Sequence, residues 1–155
     1  MTVAIILGSK SDLSVAMAAV ELLKELGITY SVHIASAHRT PRLLQELVEK
    51  SNAEVFIGVA GLSAALPGAI ASHTTKPVIG VPVSGKVNLD AILSIVQMPP
   101  GIPVAAVGLD AGLNAAMLAA EMLALNDEAL ADKLHLRRKA MHERVVSESL
   151  ELKDL

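Results

Sequence analysis

The chain has no cysteine and no tryptophan, and its aromatic residues reduce to Tyr30 and Phe56. Without cysteine there are no disulfides, no thiol catalysis and no cysteine-ligated metals. Two aromatic rings supply no stacking platforms for nucleic acid. Charge is also scarce: Asp, Glu, Lys and Arg make up 19% of the 155 residues, and a net charge of −3 offers a polynucleotide no basic footprint. Hydrophobic residues reach 52%, yet no apolar run is long enough to span a bilayer. An apolar excess without a membrane segment predicts extra buried surface and hence a homo-oligomer. At this length a single domain over residues 1–155 is expected. The N-terminus begins a strand without a charged and apolar leader, which favours a cytoplasmic location.

Short β-branched runs alternate with amphipathic stretches. Val3 to Leu7 reads as a buried strand, and Asp12 to Leu26 as a helix ended by Gly27. Tyr30 to Ala35 is the second strand, and Thr40 as N-cap with Pro41 at the first position predicts a helix from Pro41 to Lys50. Val55 to Val59 follows as a strand, Ala64 to Ser72 as a small-residue helix, and Val78 to Val81 as a fourth strand after Pro77. A Pro-rich turn, Pro99 to Pro103, leads into Val104 to Gly108. Helices from Gly112 to Leu125 and from Asp127 to about Leu150 are joined at Asn126. No internal repeat, low-complexity segment or linker interrupts this order. Such alternation implies right-handed crossovers and a parallel sheet covered on both faces, a three-layer α/β/α sandwich of the flavodoxin-like kind. The charged last helix exceeds what one small sheet can cover, so it is expected to pack on another subunit.

Two polar loops fall at strand ends, where such sheets bind small ligands. Gly8-Ser9-Lys10-Ser11-Asp12 opens a helix with hydroxyls and unpaired N–H groups, which suit a phosphate. The same residues also suit a turn in which Ser11 or Asp12 caps the helix. It is not a nucleotide-triphosphate loop, because the Gly-Lys-Ser/Thr ending is missing. Ser36-Ala37-His38-Arg39-Thr40-Pro41 sets an imidazole, a side chain suited to general acid/base work, beside a guanidinium that can fork onto a phosphate or carboxylate. Alternatively these are a surface histidine and a helix-start arginine. His33, His73, His135 and His142 lack metal-ligand spacing, and His135 and His142 share a helix face of the kind found at solvated or interface stripes. Small residues from Ala60 to Gly68 allow a ligand close to the backbone, or tight helix packing. Ser94 to Pro99 suits packing beneath the site as well as ligand contact, and Asn114 either caps its helix or faces a neighbouring site.

Taken in order, Gly8 to Asp12, Ser36 to Pro41, Ala60-Gly61, Leu66-Pro67-Gly68, Gly80-Val81-Pro82-Val83, Ser94 to Pro99, Gly101 to Val104 and Asn114-Ala115-Ala116 resemble the 5-(carboxyamino)imidazole ribonucleotide mutase family of purine biosynthesis. The resemblance covers roughly residues 3 to 140. It implies a flavodoxin-like homo-octamer with active sites between subunits, acting on a ribonucleotide without metal, ATP or organic cofactor. Members move a carboxylate from the exocyclic nitrogen to ring carbon C4 of an aminoimidazole ribonucleotide, or in a second class fix free CO2 there. By position the resemblance assigns Ser9, Ser11 and Arg39 to the 5′-phosphate, Asp12 to the ribose hydroxyls and His38 to proton transfer. Ser36 joins the binding set, and Ala60, Gly61, Ser63, Ala64, Leu66 and Pro67 form the wall that retains CO2.

The chain departs from the mutase pattern at Ala64-Ala65-Leu66-Pro67-Gly68, where Ala65 replaces the usual histidine and, with Ser63, looks more like the carboxylase class. The loop from Ser84 to Leu93 is shorter than the usual mutase loop. The His38-Arg39 pair, Leu66-Pro67-Gly68 and Val81-Pro82-Val83 resemble the mutase class, which is the favoured expectation. A carboxylase using free CO2 is the alternative, and a non-catalytic phosphoribosyl-binding oligomer is a second one.

Overall fold

A computed structural model of the chain describes residues 1–152. The chain forms two compact units, Met1–Ala120 and a second from Glu121 onward. In the first, β1 (Thr2–Leu7), β2 (Thr29–Ile34), β3 (Val55–Ala60), β4 (Val78–Pro82) and β5 (Ala105–Ala106) form one parallel sheet in the order β2-β1-β3-β4-β5. Helices α1 (Leu13–Leu26), α2 (Pro41–Glu49), α3 (Leu66–Ala71), α4 (Asn88–Val96) and α5 (Gly112–Ala124) follow the strands in turn. This is the flavodoxin-like order, and its switch point lies between β1 and β3, where the chain leaves the sheet in opposite directions.

β1, β3 and β4 are buried on both faces and read as apolar runs, whereas the expectation of a sheet covered on both faces fails at the edge strand β2, which mixes polar residues with an exposed Val32 and Ile34. On one face Ala4, Ile6, Phe56, Ala60 and Val78 join Leu44 and Val48 of α2, Leu66 and Ile70 of α3, and Ala91 and Ile95 of α4 in a single core. The alternate residues Val3, Ile5, Leu7, Val55, Ile57, Val59, Ile79 and Val81 are buried on the opposite face, and α1 lies against β1 and β2. Gly58 and Gly80 sit side by side in register and leave room for Pro67 and for the branched side chains of Ile70 and Ile95. That flat patch brings α3 and α4 close, and with them the loops that start those helices.

Several expectations need correction. Residues 88–96, read as part of a loop and its continuation, fold as α4. The helix has no side-chain cap because its N-cap is Val87, which carries no acceptor, while Asn88 Oδ1 accepts the Gly85 N–H at 2.8 Å; its buried residues reduce to Ala91 and Ile95. β5 is reduced to Ala105–Ala106, shorter than Val104 to Gly108. Thr40 precedes α2 with Pro41 at its start, but its hydroxyl does not cap: it takes the Ser36 N–H at 2.9 Å. Asn114 does not cap α5 either; it is exposed inside the first turn.

In the second unit α6 (Glu128–Glu151) begins at Asp127, whose Oδ1 accepts the Leu130 N–H at 2.8 Å. Leu130 is buried, whereas Leu136, Met141, Val145 and Leu150 are exposed among charged residues. His135 and His142 lie on this helix. No helix among the described residues is long and apolar enough to cross a membrane.

Candidate active site

The carboxyl ends of β1 to β4 surround a cavity of about 650 Å3. One corner of it is built by the turn after β1. Ser9 N–H donates to Asp12 Oδ2 at 3.0 Å, and Ser11 N–H donates to Ser9 Oγ at 3.2 Å, a reciprocal capping box. Ser11 Oγ donates to Asp12 Oδ1 at 3.2 Å, and the two serine hydroxyls also hydrogen-bond each other. Capping and cavity lining therefore coexist: Ser9, Ser11 and Asp12 do both. Among the described residues Asp12 is the one buried charged side chain, and these bonds offset its lost hydration.

The turn after β2 closes on itself and then on the first loop. Ser36 Oγ accepts both the Arg39 N–H at 3.3 Å and Arg39 Nε–H at 3.2 Å. Arg39 Nη2 donates to the Gly8 carbonyl at 2.8 Å, so one guanidinium ties the two loops together. Its remaining N–H donors can serve a ligand anion. His38 lines the same cavity, is exposed, and makes no hydrogen bond to another described residue. Its imidazole is free to turn toward a substrate.

The wall after β3 is strained. Leu62 and Ala64 hold φ of 54° and 36°, a region unfavourable for residues with a Cβ, while Ala64 N–H closes the turn on the Gly61 carbonyl at 3.0 Å. Gly61 approaches the next strand exit closely: a Cβ would stand 3.2 Å from the Val83 carbonyl oxygen, a tight contact. Ala60, Gly61, Ser63, Ala64 and Leu66 line the cavity as the sequence suggests. Pro67 is not among the lining residues; it is buried against the Gly58–Gly80 patch and supports the wall from behind.

Other lining residues were given no site role from the sequence, namely Ala37, Leu62 and, after β4, Val83, Ser84 and Gly85; Ala65, singled out there as a departure from the mutase pattern, lines the cavity too. The signal was available in principle, since every strand of a parallel sheet delivers its exit loop to the same edge. Ser94 and Gln97 line a neighbouring recess of about 500 Å3 that shares Leu62, Ser63 and Gly85, whereas Met98 packs at Gly68, so the segment from Ser94 to Pro99 contributes both surface and support. His33 lies apart in a smaller recess with Glu46 and Lys50. No group of three metal-ligating side chains occurs among the described residues.

Residues 2–144 match the AIR carboxylase family. The chain is 56% identical to an N5-carboxyaminoimidazole ribonucleotide mutase of Methanocaldococcus jannaschii, over 99% of this chain and 98% of the relative. It is 46% identical to the mutase of Saccharolobus solfataricus over 96% and 98%. A crystal structure of a Treponema denticola PurE2 variant superposes with a TM-score of 0.90 at 30% identity, covering 98% of each chain. The chain belongs to the AIR carboxylase family.

Proposed function

We propose that this chain is an N5-carboxyaminoimidazole ribonucleotide mutase, an isomerase that moves the carboxylate from the exocyclic nitrogen to C4 and yields 4-carboxy-5-aminoimidazole ribonucleotide. The observation that carries this reading is one cavity that joins a hydroxyl-rich turn, Arg39, His38 and a wall of small apolar groups, in a chain alike over its full length to named mutases. Ser9, Ser11 and Arg39 hold the 5′-phosphate at the loops after β1 and β2. Asp12, whose oxygens each keep a lone pair beyond the bonds of the turn, accepts the ribose hydroxyls. The imidazole ring then extends over β3 and β4.

In this site the carbamate N–C bond breaks, CO2 forms, and the bond pair stays on nitrogen, which takes a proton from His38. The electron-rich ring attacks CO2 through C4, and His38, now a base, removes the C4 proton so that aromaticity returns. Atoms and charge balance within the ribonucleotide and one imidazole. Capture depends on CO2 remaining beside C4, an effective-concentration effect, and Ala60, Gly61, Ala64 and Leu66 provide walls that do not bind water.

Ala65 in the cavity lining, where the mutase pattern has a histidine, favours one second reading, a carboxylase that fixes free CO2 at C4. The exposed Leu136, Met141, Val145 and Leu150 of α6 support a homo-oligomer, with the octamer of the family as its proposed form and the cytoplasm as its compartment. The deciding experiment follows product by ultraviolet absorbance without ATP, offering either the carbamate or the free amine with CO2. Consumption of the carbamate faster than its spontaneous decay, with product formed, supports the mutase. Preference for amine and CO2 overturns it in favour of the carboxylase, and ribonucleotide binding without any turnover leaves the non-catalytic oligomer. His38→Ala is expected to abolish turnover and leave folding intact.

A further inference from the structure

We propose that Asp110, which lies outside the cavity lining, is a positioning residue that holds the Ser84–Gly85 wall shut during carboxyl transfer. The proposal rests on the mutase reading above. Asp110 sits in the turn between β5 and α5 with φ of 55°, a left-handed conformation that Asp and Asn tolerate better than other residues with side chains. This conformation aims two groups at the exit of β4. The Asp110 N–H donates to the Pro82 carbonyl at 2.9 Å, and Asp110 Oδ1 accepts the Ser84 N–H at 2.9 Å.

From the other side, Val83 N–H donates to the Ala60 carbonyl at 2.9 Å, and Gly85 N–H donates to Asn88 Oδ1 at 2.8 Å. Each N–H from Val83 to Gly85 is thus committed, and the Ser84 tie alone depends on a side chain from beyond β5. Ser84 and Gly85 line the cavity over β4, whereas Ser9, Ser11 and Arg39 lie over β1 and β2. The clipped wall therefore faces the reacting end of the proposed substrate, where CO2 is free between bond breaking and bond making. Loosening it opens an escape route for CO2 without touching the phosphate corner.

The test compares Asp110→Ala, Asp110→Gly and Asp110→Asn with the unmodified protein on the carbamate ribonucleotide. Released amine above spontaneous decay is measured beside the C4-carboxylated product. Wild type is expected to release little amine. The Ala and Gly variants should raise the amine-to-product ratio about tenfold, the scale of one lost hydrogen bond. Asn, which keeps the acceptor and tolerates the backbone, should restore the wild-type ratio. Gly relaxes the strained backbone but lacks the acceptor, so leakage in Gly assigns the effect to the side-chain acceptor oxygen rather than to misfolding. Hydrogen exchange at the Ser84 amide gives a readout without turnover and should accelerate in Ala and Gly alone. An active wild type whose Gly variant leaks no more than wild type, or an unchanged Ser84 exchange rate, overturns the positioning role. A wild type that converts no carbamate overturns the mutase reading and this role with it.

Discussion

Gly112 shows how packing decides against propensity. It opens α5, and a Cβ placed on it would lie 2.0 Å from the Val15 carbonyl oxygen of α1 and 3.0 Å from the carbonyl carbon. Carbon–oxygen contacts are normally about 3.3–3.6 Å. An alanine therefore forces the two helices apart by more than about 1 Å, and the obstacle is main chain inside a helix, not a side-chain tip that can swing away. Helix propensity pulls the other way, since alanine is better than glycine by about 1 kcal/mol in a helix interior. Overpacking a dense interior costs about 1–3 kcal/mol and more where backbone must move. The balance for Gly112→Ala is a loss of about 2 kcal/mol, or a fall of roughly 4–8 °C in thermal midpoint for a chain of this size. Circular dichroism melts would measure it, with Asn114→Ala as the control: that residue is exposed in the same turn, so its substitution reports propensity alone and should gain a few tenths of a kcal/mol. A Gly112→Ala protein that melts at or above the wild-type temperature would refute the packing argument.

Arg39→Lys keeps the charge but cannot reach Ser36 Oγ and the Gly8 carbonyl together, so steady-state kinetics should show KM raised about tenfold with kcat changed much less; equal losses in both would point to a different role. Gly80→Ala puts a Cβ 2.5 Å from Ile95 Cγ2 and 3.1 Å from Pro67, which should cost about 1–3 kcal/mol in urea unfolding. Gly58→Ala should cost less, because its nearest contacts, Ile70 Cδ1 at 3.0 Å and Pro67 Cγ and Cα at 3.1 and 3.2 Å, are less severe than the 2.5 Å clash at Gly80. Asp127→Ala removes the acceptor for the Leu130 N–H and should lower stability by about 1 kcal/mol, with Asp127→Asn recovering most of it. No recovery in Asn would mean that charge, not capping, matters there.

What could be read in advance depended on how local the cause was. β1, β3 and β4 are buried on both faces, so their apolar runs announced themselves, and Gly27 ends α1 in the left-handed conformation that its position suggested. α4 was hidden because its start has no capping side chain and its core contacts reduce to Ala91 and Ile95. The first polar loop was legible but ambiguous: phosphate corner and helix cap looked like competitors, and the fold builds the cap out of hydroxyls that also line the cavity. Thr40 shows the reverse case, a good capping residue whose hydroxyl is taken by Ser36 because the tight turn brings that N–H nearer. The Ser84 wall and its tie to Asp110 were out of reach, since the two residues meet only after β4 and β5 are paired.

The site uses fixed backbone where a more polar enzyme would use side chains. Left-handed residues normally cost about 1–2 kcal/mol each unless they are glycine, yet Leu62 and Ala64 keep both the conformation and the side chain. Glycine at those positions would relieve the strain but would strip the methyl of Ala64 from the cavity wall. The expense is offset below the loop, where Pro67 fills the flat patch of Gly58 and Gly80 and fixes the start of α3 against the sheet. Strain above and close packing below are thus two halves of one device. They fix a small-residue wall at the sheet edge, which the proposed carboxyl transfer, with CO2 freed and recaptured, needs more than additional charge.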